Sequence, residues 1–220
     1  MSRLRVQLNN SKEGFWQKNA LLSHIDIVLE KGKVTGLLGR NGCGKSTLMN
    51  IIFGKLKINS IAHYNGKAIQ LTDHLKHQLV AYLPQDPFMI AAKTVVDAVQ
   101  MWYPDPEDQD KILYEPMIHK IHHTKVNSLS LGERRFLEFM LVIHTDRPFI
   151  LLDEPFSMLA PIQIERVKEI IKTVKPRRGI LMSDHYYGNI LEMSDSCYVL
   201  KESTLVVVRN EEDLKNNLYI

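Results

Sequence analysis

Residues 3 to 9 alternate in character, with Leu4, Val6 and Leu8 on one face and Arg3, Arg5, Gln7 and Asn9 on the other; Ile25, Ile27 and Leu29 repeat the period of two over 25 to 29. Such segments read as half-buried strands that pair antiparallel. VTGLLG, residues 34 to 39, is instead a continuous apolar run of strand length ending in glycine, and a helical pattern follows from Lys45 to about Leu56. That order is strand, glycine loop, helix. HQLVAYLPQ, FILLDEP and GILMSDH are further short runs ending in polar or acidic residues, as expected of buried parallel strands with functional groups at their carboxyl ends. Residues 161 to 175 set Ile164, Val167, Ile170, Ile171 and Val174 at helical spacing until Pro176 stops them. This helix is expected to cover one face of the sheet.

The character changes between Gln85 and Ser128, where TVVDAVQMWY and KILYEPMIHKIHH read as helices separated by the turn signal PDPED. The tail, SCYVLKESTLVVVR followed by EEDLKNNLYI, reads as a strand hairpin with a short closing helix. The expected organisation is one domain over 1–220: a core with its β subdomain from 1–86 and 146–220, and a helical subdomain inserted over about 87–145. Because GRNGCGKS, residues 39 to 46, gives the strand, glycine loop and helix the phosphate-loop (P-loop) pattern, the expected fold class is α/β: a P-loop NTPase core with a mainly parallel sheet, an N-terminal antiparallel β subdomain and a helical subdomain insertion.

Composition narrows the classes. The 220 residues are 45% apolar, enough for a sizeable core, and 28 basic against 25 acidic residues give a formal charge of +3 spread along the chain. That is no footprint for nucleic acid, and no nucleic acid is expected as a partner. Apolar stretches such as FILL and VTGLLG fall far short of the roughly 18 to 20 residues of a membrane-spanning helix. MSRLRVQLNN lacks the pattern of a secretory signal, and two cysteines, Cys43 and Cys197, make no disulfide framework. A cytoplasmic protein is expected.

The chemistry is concentrated in a few segments. GRNGCGKS, residues 39 to 46, matches G-x-x-x-x-G-K-[ST] between a strand and a helix. Gly39, Asn41, Gly42, Cys43 and Gly44 form a loop whose N–H groups turn inward to cradle phosphates, the helix amino terminus adds its dipole, Lys45 reaches the terminal phosphates, and Ser46 supplies an oxygen to Mg²⁺. FILLDEP supplies Asp153 for the magnesium side, and Glu154, beside it, is placed to polarise an attacking water. Farther along, Ser130 and Glu133 in LSLGERR have the spacing of a capping box, and a helix start of this kind is also an anion site.

Taken in order, GRNGCGKST, Gln85, LSLGE, FILLDE and His185 resemble the Walker A, Q-loop, signature, Walker B and switch histidine of the ATP-binding-cassette (ABC) family. The resemblance spans the chain. It implies that Thr47 contacts the α-phosphate, that Gln85 contacts Mg²⁺ or the attacking water, that His185 touches the γ-phosphate, and that Trp16, or Phe15 beside it, stacks on adenine. It implies further that Ser130, Gly132 and Glu133 serve an ATP held by a second ABC subunit, in a homo- or heterodimer, and that ATP-driven closure of the dimer works on separate transmembrane permease subunits. Two positions depart from the pattern: Leu131 stands where the signature commonly has glycine, and Ala160 where the loop after Walker B usually has aspartate. The main expectation is a transport-coupled ATPase; a soluble ABC ATPase without a permease and a nucleotide-binding regulatory module are the alternatives.

Overall fold

The computed structural model describes residues 2–8, 22, 24–56, 60–73 and 78–216. Two sheets carry the fold. The first is antiparallel and built from β1 (Arg3–Leu8), β2 (Ile25–Glu30), β4 (Ser60–Tyr64) and β5 (Lys67–Ile69) in the order β2-β1-β4-β5. The second has the order β10-β9-β3-β8-β7-β6, with β3 (Val34–Leu38), β6 (Val80–Leu83), β7 (Phe149–Asp153), β8 (Gly179–Ser183) and β9 (Ser196–Lys201) parallel and β10 (Thr204–Val208) returning antiparallel at the edge.

The hydropathy patterns follow from this layering. Leu4, Val6 and Leu8 are buried while Arg3 and Arg5 are exposed, because β1 shows only one face to the core. β7 is apolar from Phe149 to Leu152 because the second sheet is covered on both sides: Phe149 and Leu151 face the antiparallel sheet and helix α1 (Lys45–Ile52), whereas Ile150 and Leu152 face the remaining helices. Each such side chain is worth roughly 1.5–3 kcal/mol of burial.

Helix boundaries depart from the periodicity in instructive ways. The first helix ends at Ile52, short of Leu56, because Gly54 adopts φ 78° and closes the last turn onto Ile51. PDPED is a helix start as well as a turn: Asp105 caps α3 (Pro106–Leu113) by accepting from Glu107 N–H, with Pro106 at the first helical position. Pro116 then divides the expected long helix, so α4 (Pro116–His119) is separate. Helix α2 (Val95–Trp102) begins at a Thr94–Asp97 capping box. Helix α5 (Leu131–Ile143) begins at Ser130, before Gly132, and packs on edge strand β6. Helix α6 (Pro161–Val174) ends in a 3₁₀ turn through Pro176; α7 (Tyr187–Met193) lies on β3, and α8 (Glu211–Asn216) follows the β9–β10 hairpin.

Candidate active site

The phosphate-type loop leaves β3 at Leu38 and enters α1 at Lys45. Gly42 (φ 78°) and Gly44 (φ 110°) take left-handed backbone conformations that side chains resist, which is why glycine is needed there. The Lys45 ammonium is buried and donates to the carbonyls of Gly39 (2.7 Å) and Arg40 (3.4 Å), so the cation lies along the loop that produced it. Asn50 holds the first turn by donating to Ser46 O at 2.7 Å.

Adjacent strand ends bring the acidic residues together. Asp153, wholly buried at the end of β7, accepts from the Ser183 hydroxyl at 2.7 Å and the Tyr82 hydroxyl at 3.1 Å. Ser183 is its paired neighbour on β8, and Tyr82 stands on β6, so parallel register alone sets this cluster. Glu154 follows with φ 54°, a left-handed conformation that is costly for a residue with a side chain. Its carboxylate lies 2.7 Å from His185 Nε2 and accepts from Gln85 Nε2 at 3.1 Å. Burial pushes the Glu154 carboxyl above the usual range, with Asp153 and Asp184 adding to the rise and His185 opposing it. Asp184 is likewise raised by burial and holds the loops after β7 and β8 by accepting from Phe156 N–H (3.2 Å) and Tyr186 N–H (3.0 Å).

Gln85, Glu154 and His185 therefore form one bonded cluster at the carboxyl ends of the parallel strands, next to Asp153 with its own partners Ser183 and Tyr82, and Lys45 is close enough to act electrostatically on Glu154. Ser130, Gly132 and Glu133 stand apart, on the helix packed against β6, with β8 and β7 between β6 and β3 in the strand order. The capping box is formed: Glu133 N–H donates to Ser130 Oγ at 3.2 Å, and the Glu133 carboxylate accepts from Ser130 N–H (2.8 Å) and Oγ (2.7 Å). Gly132 is small for a reason the motif hid. A Cβ there would meet Met158 O at 2.8 Å and Gln163 Oε1 at 3.0 Å, so glycine lets the helix start approach the loop after β7. Leu131 is 66% exposed at the first helical position. Trp16 and Phe15 lie outside the described residues. Sequence reasoning passed over Ser183, Asp184 and Tyr82; the first two were signalled by polar residues closing an apolar strand, while Tyr82 had no signal until β6 was paired with β7.

A glycine-rich loop at a helix start beside a buried carboxylate, a held glutamate and a histidine has the chemistry suited to nucleotide phosphates. Comparison with known families agrees: the ABC transporter model matches residues 22–157, which take in the loop, Gln85, the Ser130 helix start, Asp153 and Glu154. The chain belongs to the ABC transporter family. It is similar to the lipopolysaccharide export system ATP-binding protein LptB of Acidithiobacillus ferridurans, with 28% identity over 90% of this chain and 88% of that protein. LptB of Haemophilus influenzae is 26% identical over 92% of this chain and 89% of its own length. The galactose/methyl galactoside import ATP-binding protein MglA of Clostridium perfringens is 26% identical over 90% of this chain, which covers 42% of that longer protein. Among solved structures, the ATP-binding subunit of an ABC transporter superposes with a TM-score of 0.83 at 21% identity, covering 98% of this chain and 93% of that one, a likeness of fold. The ADP conformation of an ABC transporter's ATP-binding cassette gives 0.79 at 25% identity over 98% and 94%. This ABC chain is thus an ATP-binding ATPase of the transporter class. None of its described helices is long and apolar enough to cross a membrane.

Proposed function

We propose that this chain is the motor subunit of an ABC transporter: it pairs head to tail with a second ABC subunit, closes on ATP, and reopens on hydrolysis, driving separate transmembrane permease subunits from the cytoplasmic face of the membrane. The observation that carries the catalytic part is the Glu154 carboxylate held between His185 Nε2 at 2.7 Å and Gln85 Nε2 at 3.1 Å. A carboxylate made more basic by burial and fixed by two neighbours is suited to orient and polarise a water for attack on a terminal phosphate. Lys45 and the loop N–H groups carry the phosphates, Thr47 lies one residue beyond Ser46 for the α-phosphate, and His185, about half exposed, takes the γ-phosphate side. The oxygen donors of Ser46, Asp153 and Gln85 suit a hard cation, and the full burial of Asp153 beside two hydroxyls fits such a role; Mg²⁺ held there would neutralise phosphate charge. Residues 87–145 act as the helical subdomain that presents Ser130, Gly132 and Glu133 to the ATP of the partner, and Trp16 stacks on adenine.

Glu154→Gln is the test. Turnover is expected to fall at least about 100-fold, with ATP still bound and an ATP-dependent dimer accumulating in size-exclusion chromatography. Hydrolysis at the wild-type rate in that variant would show the mechanism to be wrong. Co-purification of the chain with a membrane protein tests the transport half, and recovery with cytosolic partners alone would overturn it.

A further inference from the structure

Arg135 lies in helix α5, five positions beyond Ser130, and its charged side chain is almost wholly buried. Its guanidinium spans two strand ends. Nη1 donates to Pro84 O at 2.7 Å, immediately before Gln85; Nη2 donates to Asp153 O and, at 3.1 Å, to Glu154 O. Glu138, one turn along the same helix, lies 3.7 Å from Arg135 Nη1 and accepts from Phe88 N–H at 3.2 Å, so the helix holds the segment after Gln85 at a second point.

These contacts are made at a cost. Arg135 Nε is buried without a hydrogen-bond partner, and burial lowers the guanidinium's pKa. A planar donor fork in such a place is ill explained by packing, for which an apolar side chain would serve. What it holds is specific: both peptide units on either side of the Glu154 Cα, the residue with φ 54°. A strained conformation persists only where its surroundings over-determine it. Here Glu154 N–H donates to Ser183 O at 2.9 Å, and Arg135 binds the carbonyls before and after.

From this geometry we infer that Arg135 is a positioning residue for ATP hydrolysis: it locks the backbone of Glu154 and the entry to Gln85 so that the two side chains meet, and it ties both to the helix whose start is offered to the partner subunit. The inference rests on the proposed role of Glu154. Because Arg135 reaches the site through the backbone carbonyls of Pro84, Asp153 and Glu154, and not through the phosphate loop or a side chain assigned to ATP, its loss acts on turnover and leaves nucleotide affinity in place.

The experiment compares R135M and R135K with wild type and with E154Q, measuring kcat, KM and the affinity for a fluorescent ATP analogue, alongside thermal unfolding. R135M is expected to lose at least about 10-fold in kcat with ATP affinity within about 2-fold of wild type, and R135K, which reaches fewer of the carbonyls, to fall between. If R135M does not fold, R135K decides: a kcat reduced at unchanged affinity supports the assignment. Wild-type kcat in a folded variant, or kcat and affinity falling together, overturns it. An active E154Q would instead overturn the reading of the site beneath it, whereas an inactive E154Q beside a fully active R135M removes the role of Arg135 alone.

Discussion

Cys43 and Cys197 carry the same side chain into opposite surroundings. Cys197, on β9, is 4% exposed, and burial pushes its thiol up to about 12; Cys43 is half-exposed in the phosphate loop. A thiol whose folded pKa is raised favours the folded state in its neutral form, so its contribution is complete below the unfolded value near 9.0 and is lost as pH rises through about 12. At pH 8 Cys197 therefore remains a thiol and resists alkylation. Iodoacetamide treatment of the native chain should modify Cys43 alone by peptide mass spectrometry and block ATP binding, with Cys197 modified only in denaturant. Unchanged ATP binding by protein fully modified at Cys43 would show that the loop tolerates the added group. At this scale much of the candidate site was legible: the loop residues, Asp153 and Glu154 by type and spacing, Gln85 and His185 only through their resemblance to the ABC pattern. Arg135 was not, because a basic residue after a signature reads as a solvated turn of helix until its burial is known.

Elements meet through positions whose importance lies in what is missing. Gly179 opens β8, and a Cβ there would come within 2.9 Å of Glu30 O at the end of β2 and 2.8 Å of Phe149 Cδ1. One of these obstacles is backbone and cannot rotate away, so this glycine sets how closely the antiparallel sheet lies on the parallel one. Gly179→Ala should lower stability by about 1–3 kcal/mol in urea unfolding. Gly188, inside α7, has open space around it, and Gly188→Ala should instead raise stability by up to about 1 kcal/mol, the helix-propensity difference. A loss of equal size at both positions would mean that backbone freedom matters more than sheet contact. The strand runs were readable from hydropathy because a parallel sheet covered on both faces needs unbroken apolar strands. Helix ends were less readable, since Gly54 and Pro116 act through local backbone geometry that side-chain periodicity does not report.

For the whole molecule, the two helix starts proposed to face phosphate lie on different parts of the fold. The start of α1 follows central strand β3, whereas that of α5 stands by edge strand β6, beyond β8 and β7. A single chain that keeps them apart can use both on one ATP only by lending the second to another subunit, which is the physical basis of the proposed dimer. Ser130→Arg should then leave ATP binding by the monomer intact while abolishing ATP-dependent dimerisation and turnover in size-exclusion and phosphate-release measurements. Normal dimerisation by that variant would place the contact elsewhere. Leu131, exposed beside Ser130, stands on the same surface and offers an apolar side chain where the family commonly has none.

The order of strands and helices, the loop and the acidic strand ends belong to the sequence by itself, because local periodicity, glycine chemistry and motif spacing are properties of contiguous residues. Tertiary structure alone decided which polar groups meet. Parallel register set Ser183 beside Asp153, the loops after three different strands brought Gln85 and His185 to Glu154, and the packing of α5 carried Arg135 into the backbone that holds it. These are contacts between residues far apart along the chain, and they exist only once burial of the apolar faces has fixed the sheet order.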